Sequence, residues 1–381
     1  MTGSSGTQPA AGFGMRKSKL QDRFTPFNVL ELQCIAAESI GANKCVAMTK
    51  LAEGSFNKIF HLKMDNGSTV IARIPHPIAG PKYYTTASEV ATIDFARTVL
   101  RIPAPQVHAW SACVDNPVGA EYIIMEEATG TKLEDVWDNL SLEDRIGIMK
   151  DLVLVENKLL SVSFSRYGNL YYSGEAVPGT VVAEVVNDTS RELKMDVKTR
   201  FSIGPVVVRK RFLDKRMFND PNLVASSIWH TDLHAGNLFV DIGRITSVID
   251  WQEAWAGPLV LQGRHPRLVD YQGDIILEPP PNFKDLELNE KARLKRQIAS
   301  SIILYLYEQQ TAKLNPHLNR VLRLKLGRDE LQRHTEDGEG WNEVQDFWRA
   351  VAGIVARDGW TPHSMYDEAV ALFFQNSGNS D

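Results

Sequence analysis

The stretch from Ile228 to Trp251, IWHTDLHAGNLFVDIGRITSVIDW, constrains this chain more than any other. Leu238-Phe239-Val240 reads as a short apolar strand, Asp241-Ile242-Gly243-Arg244 as a turn, and Ile245 to Ile249 as the return strand. Such a hairpin brings the residue before it, Asn237, to the same end as the residue after it, Asp250. A side-chain carbonyl and a carboxylate would then meet.

Upstream of that hairpin stands His230-x-Asp232-x4-Asn237, with Asp250 thirteen residues beyond Asn237. An H-x-D-x4-N run followed by a separate aspartate is the spacing of a phosphoryl-transfer loop. Phosphoryl transfer needs positioning and charge neutralisation more than covalent chemistry. Asp232 is the candidate for the carboxylate beside an attacking hydroxyl. Asn237 and Asp250 are the candidate hard-oxygen ligands of Mg2+ against ATP phosphates. His230 and His234 would brace the loop by hydrogen bonds; the chain's 9 histidines and the absence of a nearby cysteine argue against zinc.

The chain has 381 residues, 43% hydrophobic and 23% charged, as a soluble globular protein does. A net charge of -5 implies no broad nucleic-acid-binding surface. Cys34, Cys45 and Cys113 are odd in number and far apart, which suits a reducing compartment. No apolar run approaches the ~20 residues of a membrane span. Met1 to Lys19 is rich in small and hydroxyl residues and carries Arg16, Lys17 and Lys19, with no acid before Asp22. That pattern fits a transit peptide or a disordered tail.

Ahead of the loop the pattern is strand-rich. A helix over Phe27 to Ile40 precedes strands over Val46–Leu51, Asn57–Met64 and Thr69–Ile74, with Asp65-Asn66-Gly67 as a hairpin turn. The loop holding Gly54 and Ser55 is placed to cover phosphates with backbone N–H groups, or is an ordinary hairpin loop. Arg73 stands where a kinase carries its phosphate-binding Lys; it keeps the charge in a planar, forked form, or is a solvated strand arginine. A helix is expected over Thr86 to Leu100. Within it, Glu89 either pairs with Arg73 or closes a Thr86-x-x-Glu89 capping box. The apolar strand Glu121–Met125 runs into a connector where backbone groups of Glu126 to Ala128 could bond an adenine edge. Past Lys132 the pattern turns helical: 132–139, 141–161, 284–314, and around 321–335, 341–358 and 362–374. Residues 167–180 read as irregular, and 255–281 as a long Gly/Pro-rich segment.

This order of elements, with EYIIMEEATG, HTDLHAGNLFVD and VIDWQ, resembles the aminoglycoside phosphotransferase (APH/choline-kinase-like) superfamily. LAEGSFNKIF, ARIPHPIAGP, TTASEVATIDFART and VIDWQEAWAGPL are similar to its fungal altered-inheritance-of-mitochondria protein 9-like branch. The resemblance covers roughly residues 27 to 370. It implies an α+β, bilobal protein-kinase-like fold: a small β-rich lobe over 27–128 and a larger, mainly helical lobe over 129–375, between flexible tails 1–26 and 376–381. By matched position it implies Asp232 as base, Asn237 and Asp250 as Mg2+ ligands, and Arg73 with Glu89 as a phosphate clamp. Gly54, Ser55, Glu126 and Ala128 would border the nucleotide. Arg73 in place of Lys is the departure. The branch name implies the mitochondrion; the cytoplasm is the alternative.

The function expected is transfer of the ATP γ-phosphate to a hydroxyl of a small molecule. Two alternatives stand: a catalytically silent nucleotide-binding scaffold, which Arg73 favours, and a protein kinase, against which the lack of an A-P-E-like segment counts.

Overall fold

A computed structural model describes residues 25–54, 56–175, 177–207, 222–269, 271 and 273–323. Asn28 opens the first helix, α1 (Val29–Ser39). Its side-chain oxygen accepts from Leu30 N and Glu31 N at 3.1 and 3.3 Å, satisfying two of the donors a helix start leaves orphaned. Strands β1 (Cys45–Glu53), β2 (Asn57–Met64) and β3 (Thr69–Pro75) follow. Gly67, at φ 85°, supplies the left-handed residue of the Asp65–Gly67 turn. Helix α2 (Tyr84–Asp94) runs through a π turn at Phe95–Val99 and leads to β4 (Val107–Ser111) and β5 (Tyr122–Glu126).

These five strands make one antiparallel sheet in the order β1-β2-β3-β5-β4. Alternation along β3 sets the two faces. Val70, Ala72 and Ile74 join Leu62 and Met64 in a core closed by Leu32, Ala36 and Ala37 of α1. Arg73 falls between them and so points to the other face, where α2 lies.

The remainder is mainly helical and carries three small sheets. The long helices are α3 (Leu142–Leu160), α4 (Arg191–Arg200) and α5 (Leu288–Leu314), with α6 (Pro316–Arg323) after them. Ser141 caps α3 by accepting from Asp144 N at 3.0 Å. The main core spans α2, α3 and the strands around the loop, with Ile93, Phe95, Met149, Leu152, Ile228 and Trp251 among its members. The fold is therefore α+β, a β-rich part first and a mainly helical part second. Among the described residues no helix is long and apolar enough to cross a membrane.

Several boundaries differ from the sequence reading. The helix expected from Thr86 starts at Tyr84. The one expected from Lys284 starts at Leu288, after a 3-10 turn at Phe283–Asp285. The 167–180 stretch is not wholly irregular: Asn169–Tyr172 is a strand, paired with Phe201–Gly204. Its aromatic residues are strand formers that bury against that partner, a tertiary gain that the local glycines hide. The helices expected at 341–358 and 362–374, the tail at 376–381, the expected helix around 321–335 from residue 324 on, and the N-terminal tail up to residue 24 lie outside the described residues.

Candidate active site

Two strand pairs close the site at both ends. The strand Ser226–Trp229 leads into the loop and Trp255–Pro258 leads away, and these two pair antiparallel with Trp229 opposite Trp255. Between them the hairpin Leu238–Asp241 with Arg244–Val248 pairs Leu238 with Val248. Residues 230–237 and 249–254 must therefore run side by side. Ile249 N donates to Asn237 O at 3.0 Å, so Asp250 follows directly on the contact with Asn237.

Within the loop, His230 is 2% exposed. Its Nε2 faces Ile249 O at 2.9 Å and its Nδ1 accepts from Asp232 N at 3.3 Å, which places the proton on Nε2. The ring lies edge-on to Trp251 at 4.8 Å. Burial drives its pKa down, so the imidazole is neutral and serves as a brace. His234 is held similarly: Nδ1 accepts from Gly236 N at 2.9 Å and Nε2 lies 3.3 Å from Asp232 Oδ2. A Cβ at Gly236 would come within 2.6 Å of the His234 ring, so any larger residue here would push that ring out of place. Asn237 Nδ2 donates to Asp232 O at 3.0 Å, which leaves the side-chain oxygen as the outward acceptor.

Asp250 takes φ 62°, a left-handed conformation that aspartate tolerates better than most residues. Its carboxylate is 45% exposed and lies 3.7 Å from Arg73 Nη1. The same Nη1 is ion-paired with Glu89 Oε1. Arg73 and Glu89 are both buried. Burial pulls the Arg73 pKa down to about 10, and the Asp250 charge partly opposes this. Arg73 thus stays cationic at neutral pH and gathers Glu89 and Asp250, far apart in sequence, around one guanidinium.

The Thr86-x-x-Glu89 capping box is not formed. Because α2 starts at Tyr84, Glu89 lies beyond its first turn. Thr86 Oγ1 donates instead to Glu121 Oε2 at 2.6 Å, and Glu121 Oε1 accepts from Tyr83 N at 3.0 Å. In the connector, the Glu126 N–H is spent on Gln106 O at 2.8 Å and its carboxylate on Gln106 N and Arg97. An adenine contact from Glu126 would therefore come from its backbone carbonyl, and Ala128 stays a candidate beside it. Gly54 N donates to Asn57 O at 3.0 Å in the loop between β1 and β2, and a Cβ there would meet open space. Ser55 lies outside the described residues.

Two residues that the sequence reading did not single out join the site. Gln252, two positions past Asp250, reaches Arg73, Asn57 and the Ala79 carbonyl. Asn57 begins β2. The one available signal was Arg73 itself, whose extra donors need acceptors. Among the described residues no three His, Cys, Asp or Glu side chains gather as a metal site. Asn237 and Asp250 are hard oxygen donors of the kind Mg2+ accepts when phosphates and waters complete its shell.

The sequence matches the "Phosphotransferase enzyme family" (APH) over residues 47–261. A subtelomeric hrmA-associated cluster protein of Aspergillus fumigatus is 44% identical over 166 residues, which covers 44% of this chain and 30% of that protein. Altered inheritance of mitochondria protein 9, mitochondrial, of Yarrowia lipolytica is 29% identical over 400 residues, covering 82% of this chain and 69% of its own length. The chain thus spans less than a third of the first relative. Among solved structures, the streptomycin-ATP-APH(2")-IIa ternary complex is similar at TM-score 0.40 and 13% identity, over 91% of this chain and 96% of that one.

Proposed function

The chain belongs to the phosphotransferase enzyme family, and on that premise we propose that it transfers the γ-phosphate of ATP to a hydroxyl of a small molecule. The observation that carries this reading is the convergence of Glu89 and Asp250 on the buried Arg73, beside the His230–Asn237 loop. The three charges come from a strand, a helix and the segment after the hairpin, and a buried ion pair such as Arg73–Glu89 is weak support for stability by itself.

In this reading Arg73 binds the phosphates and Glu89 holds it in place. The backbone around Gly54 and Ser55 covers the phosphate chain, and the backbone of Ala128 meets the adenine edge. Asn237 and Asp250 hold Mg2+, which neutralises charge on the transferring phosphoryl group when bound. Asp232 lies beside the acceptor hydroxyl: it orients the nucleophile and takes its proton, while His234 Nε2 holds one oxygen of its carboxylate. The 288–314 helix takes no part in holding ATP in this reading, and acceptor selection is the task assigned to it. Calorimetry tests the first half of this reading. ATP affinity should depend on Mg2+ or Mn2+; equal affinity with and without metal removes the Asn237–Asp250 assignment. Binding without turnover on any hydroxylated acceptor would favour the silent scaffold.

The relatives named as mitochondrial support a place in the mitochondrion. A reporter fused after residue 25 is expected to differ in location from one on the intact N-terminus; identical cytosolic signal from both removes that assignment.

A further inference from the structure

Arg73 differs from a lysine in having to satisfy a fork. A guanidinium presents five donors in a fixed plane and accepts nothing. Here Nη1 is held by Glu89 and faces Asp250, while Nη2 donates to Gln252 Oε1. The orientation of the Gln252 amide is then unambiguous. Because Nη2 can only donate, the atom facing it must be the amide oxygen. The same oxygen then accepts from Asn57 Nδ2 at 2.9 Å, and the amide nitrogen donates to Ala79 O at 2.9 Å. A flipped amide would turn a donor on Arg73 and an acceptor on a carbonyl, losing both of those bonds at once.

Every side-chain bond of Gln252 goes to the small sheet or the loop after it: the first residue of β2, the middle of β3, and residue 79. Its backbone belongs to the segment that carries Asp250. Gln252 is 9% exposed, so these bonds form away from water, where an unpaired donor is costly. A glutamate could not replace it. A carboxylate has no proton for Ala79 O, and it would set another negative charge on Arg73 in competition with a phosphate.

We propose that Gln252 is a positioning residue for the phosphate clamp: its amide oxygen fixes the plane of the Arg73 guanidinium, and its bonds to Asn57 and Ala79 set the Asp250 segment against the small sheet. This rests on the reading of Arg73 as a phosphate-binding group. The amide is what allows an arginine to serve there, since a lysine ammonium would not need an acceptor at the Nη2 position.

The test is a double-mutant cycle on the full chain, read by calorimetry with Mg-ATP and by thermal melting. Gln252→Met keeps length and removes all three bonds. In the parent background it should weaken Mg-ATP binding about tenfold, the worth of one hydrogen bond to a charged group. In an Arg73→Lys background the same change should cost no more than about threefold, because the lysine does not use the amide. Equal losses in both backgrounds would mean general structural support and overturn the proposal, as would no loss in the parent. If Gln252→Met does not melt cooperatively, or Arg73→Lys binds too weakly to measure, Gln252→Glu decides: it is nearly isosteric, and unchanged affinity overturns the proposal. A parent that binds no Mg-ATP overturns the phosphotransfer reading and this inference together. A parent that binds while its folded variants bind equally overturns the inference alone.

Discussion

Asp232 and Asp250 are both aspartates on adjoining segments, and their surroundings divide the work. Asp232 is tied to His234, whereas Asp250 lies 3.7 Å from Arg73 Nη1 in a left-handed backbone. In the proposed reaction the first would face the acceptor hydroxyl and the second the metal and phosphates. Asp232→Asn keeps size and hydrogen bonding while losing the base and its charge. Turnover is expected to fall by roughly 10²–10⁴, the usual worth of a positioned acid–base group, with Mg-ATP affinity nearly unchanged. Steady-state turnover beside calorimetry checks this, and parent-rate turnover by the variant refutes the role. Spacing alone brought the two carboxylates and Asn237 forward as candidates, and the structure sets them on adjoining segments. Glu89 was legible only as a choice, because the same letters spell a capping box; the start of α2 at Tyr84 and the capture of Thr86 by Glu121 decide it. Gln252 was not legible, since nothing local marks an amide whose partners are 173 to 195 positions away in sequence.

At the scale of the element, the hairpin that joins Asn237 to Asp250 turns through Ile242 at φ 46° and Gly243 at φ 67°. Both are left-handed, as a two-residue hairpin loop requires. Glycine takes this freely; a β-branched isoleucine does not, and Ile242 is 88% exposed, so packing gives nothing back. Ile242→Asn should raise stability by about 1 kcal/mol, from relief of that strain. Gly243→Ala should lower it by roughly 1–3 kcal/mol, because its Cβ would also approach Asp144 Oδ1 at 2.7 Å and disturb the Ser141 cap of α3. Denaturant melts of the two variants check both signs. An Ile242→Asn protein less stable than the parent would show that the turn is not under strain.

At the scale of the molecule, α3 and α5 are joined by a buried acid. Glu156 is fully enclosed, and both of its oxygens lie 3.0 Å from Tyr307 Oη. Burial pushes its pKa up to about 8, against the partial opposition of that hydrogen bond. The folded state therefore holds the proton more tightly than the unfolded chain, whose carboxyl titrates near its usual 4.5. This contribution to stability is fully present below that value and is lost as pH rises through about 8. The parent should melt at a lower temperature at pH 8 than at pH 5.5, and Glu156→Gln, which is neutral throughout, should flatten that difference. A variant with the same pH slope as the parent would place the titration elsewhere.

The sequence by itself determined the chemistry on offer and the local devices that present it: the His230–Asn237 spacing, the hairpin to Asp250, the strands and the turn at Gly67. These are short-range properties, fixed by period, turn residues and spacing along the chain. Tertiary structure alone decided which groups share a charge. Arg73, Glu89, Asp250 and Gln252 come from β3, α2 and the segment after the hairpin, and no local pattern states that β3 turns Arg73 toward α2 rather than toward α1. That choice comes from burying Ala72 and Ile74 against α1. Once those apolar neighbours are inside, the alternation of the strand leaves the arginine no other face, and the acid and amide around it are what make its burial tolerable.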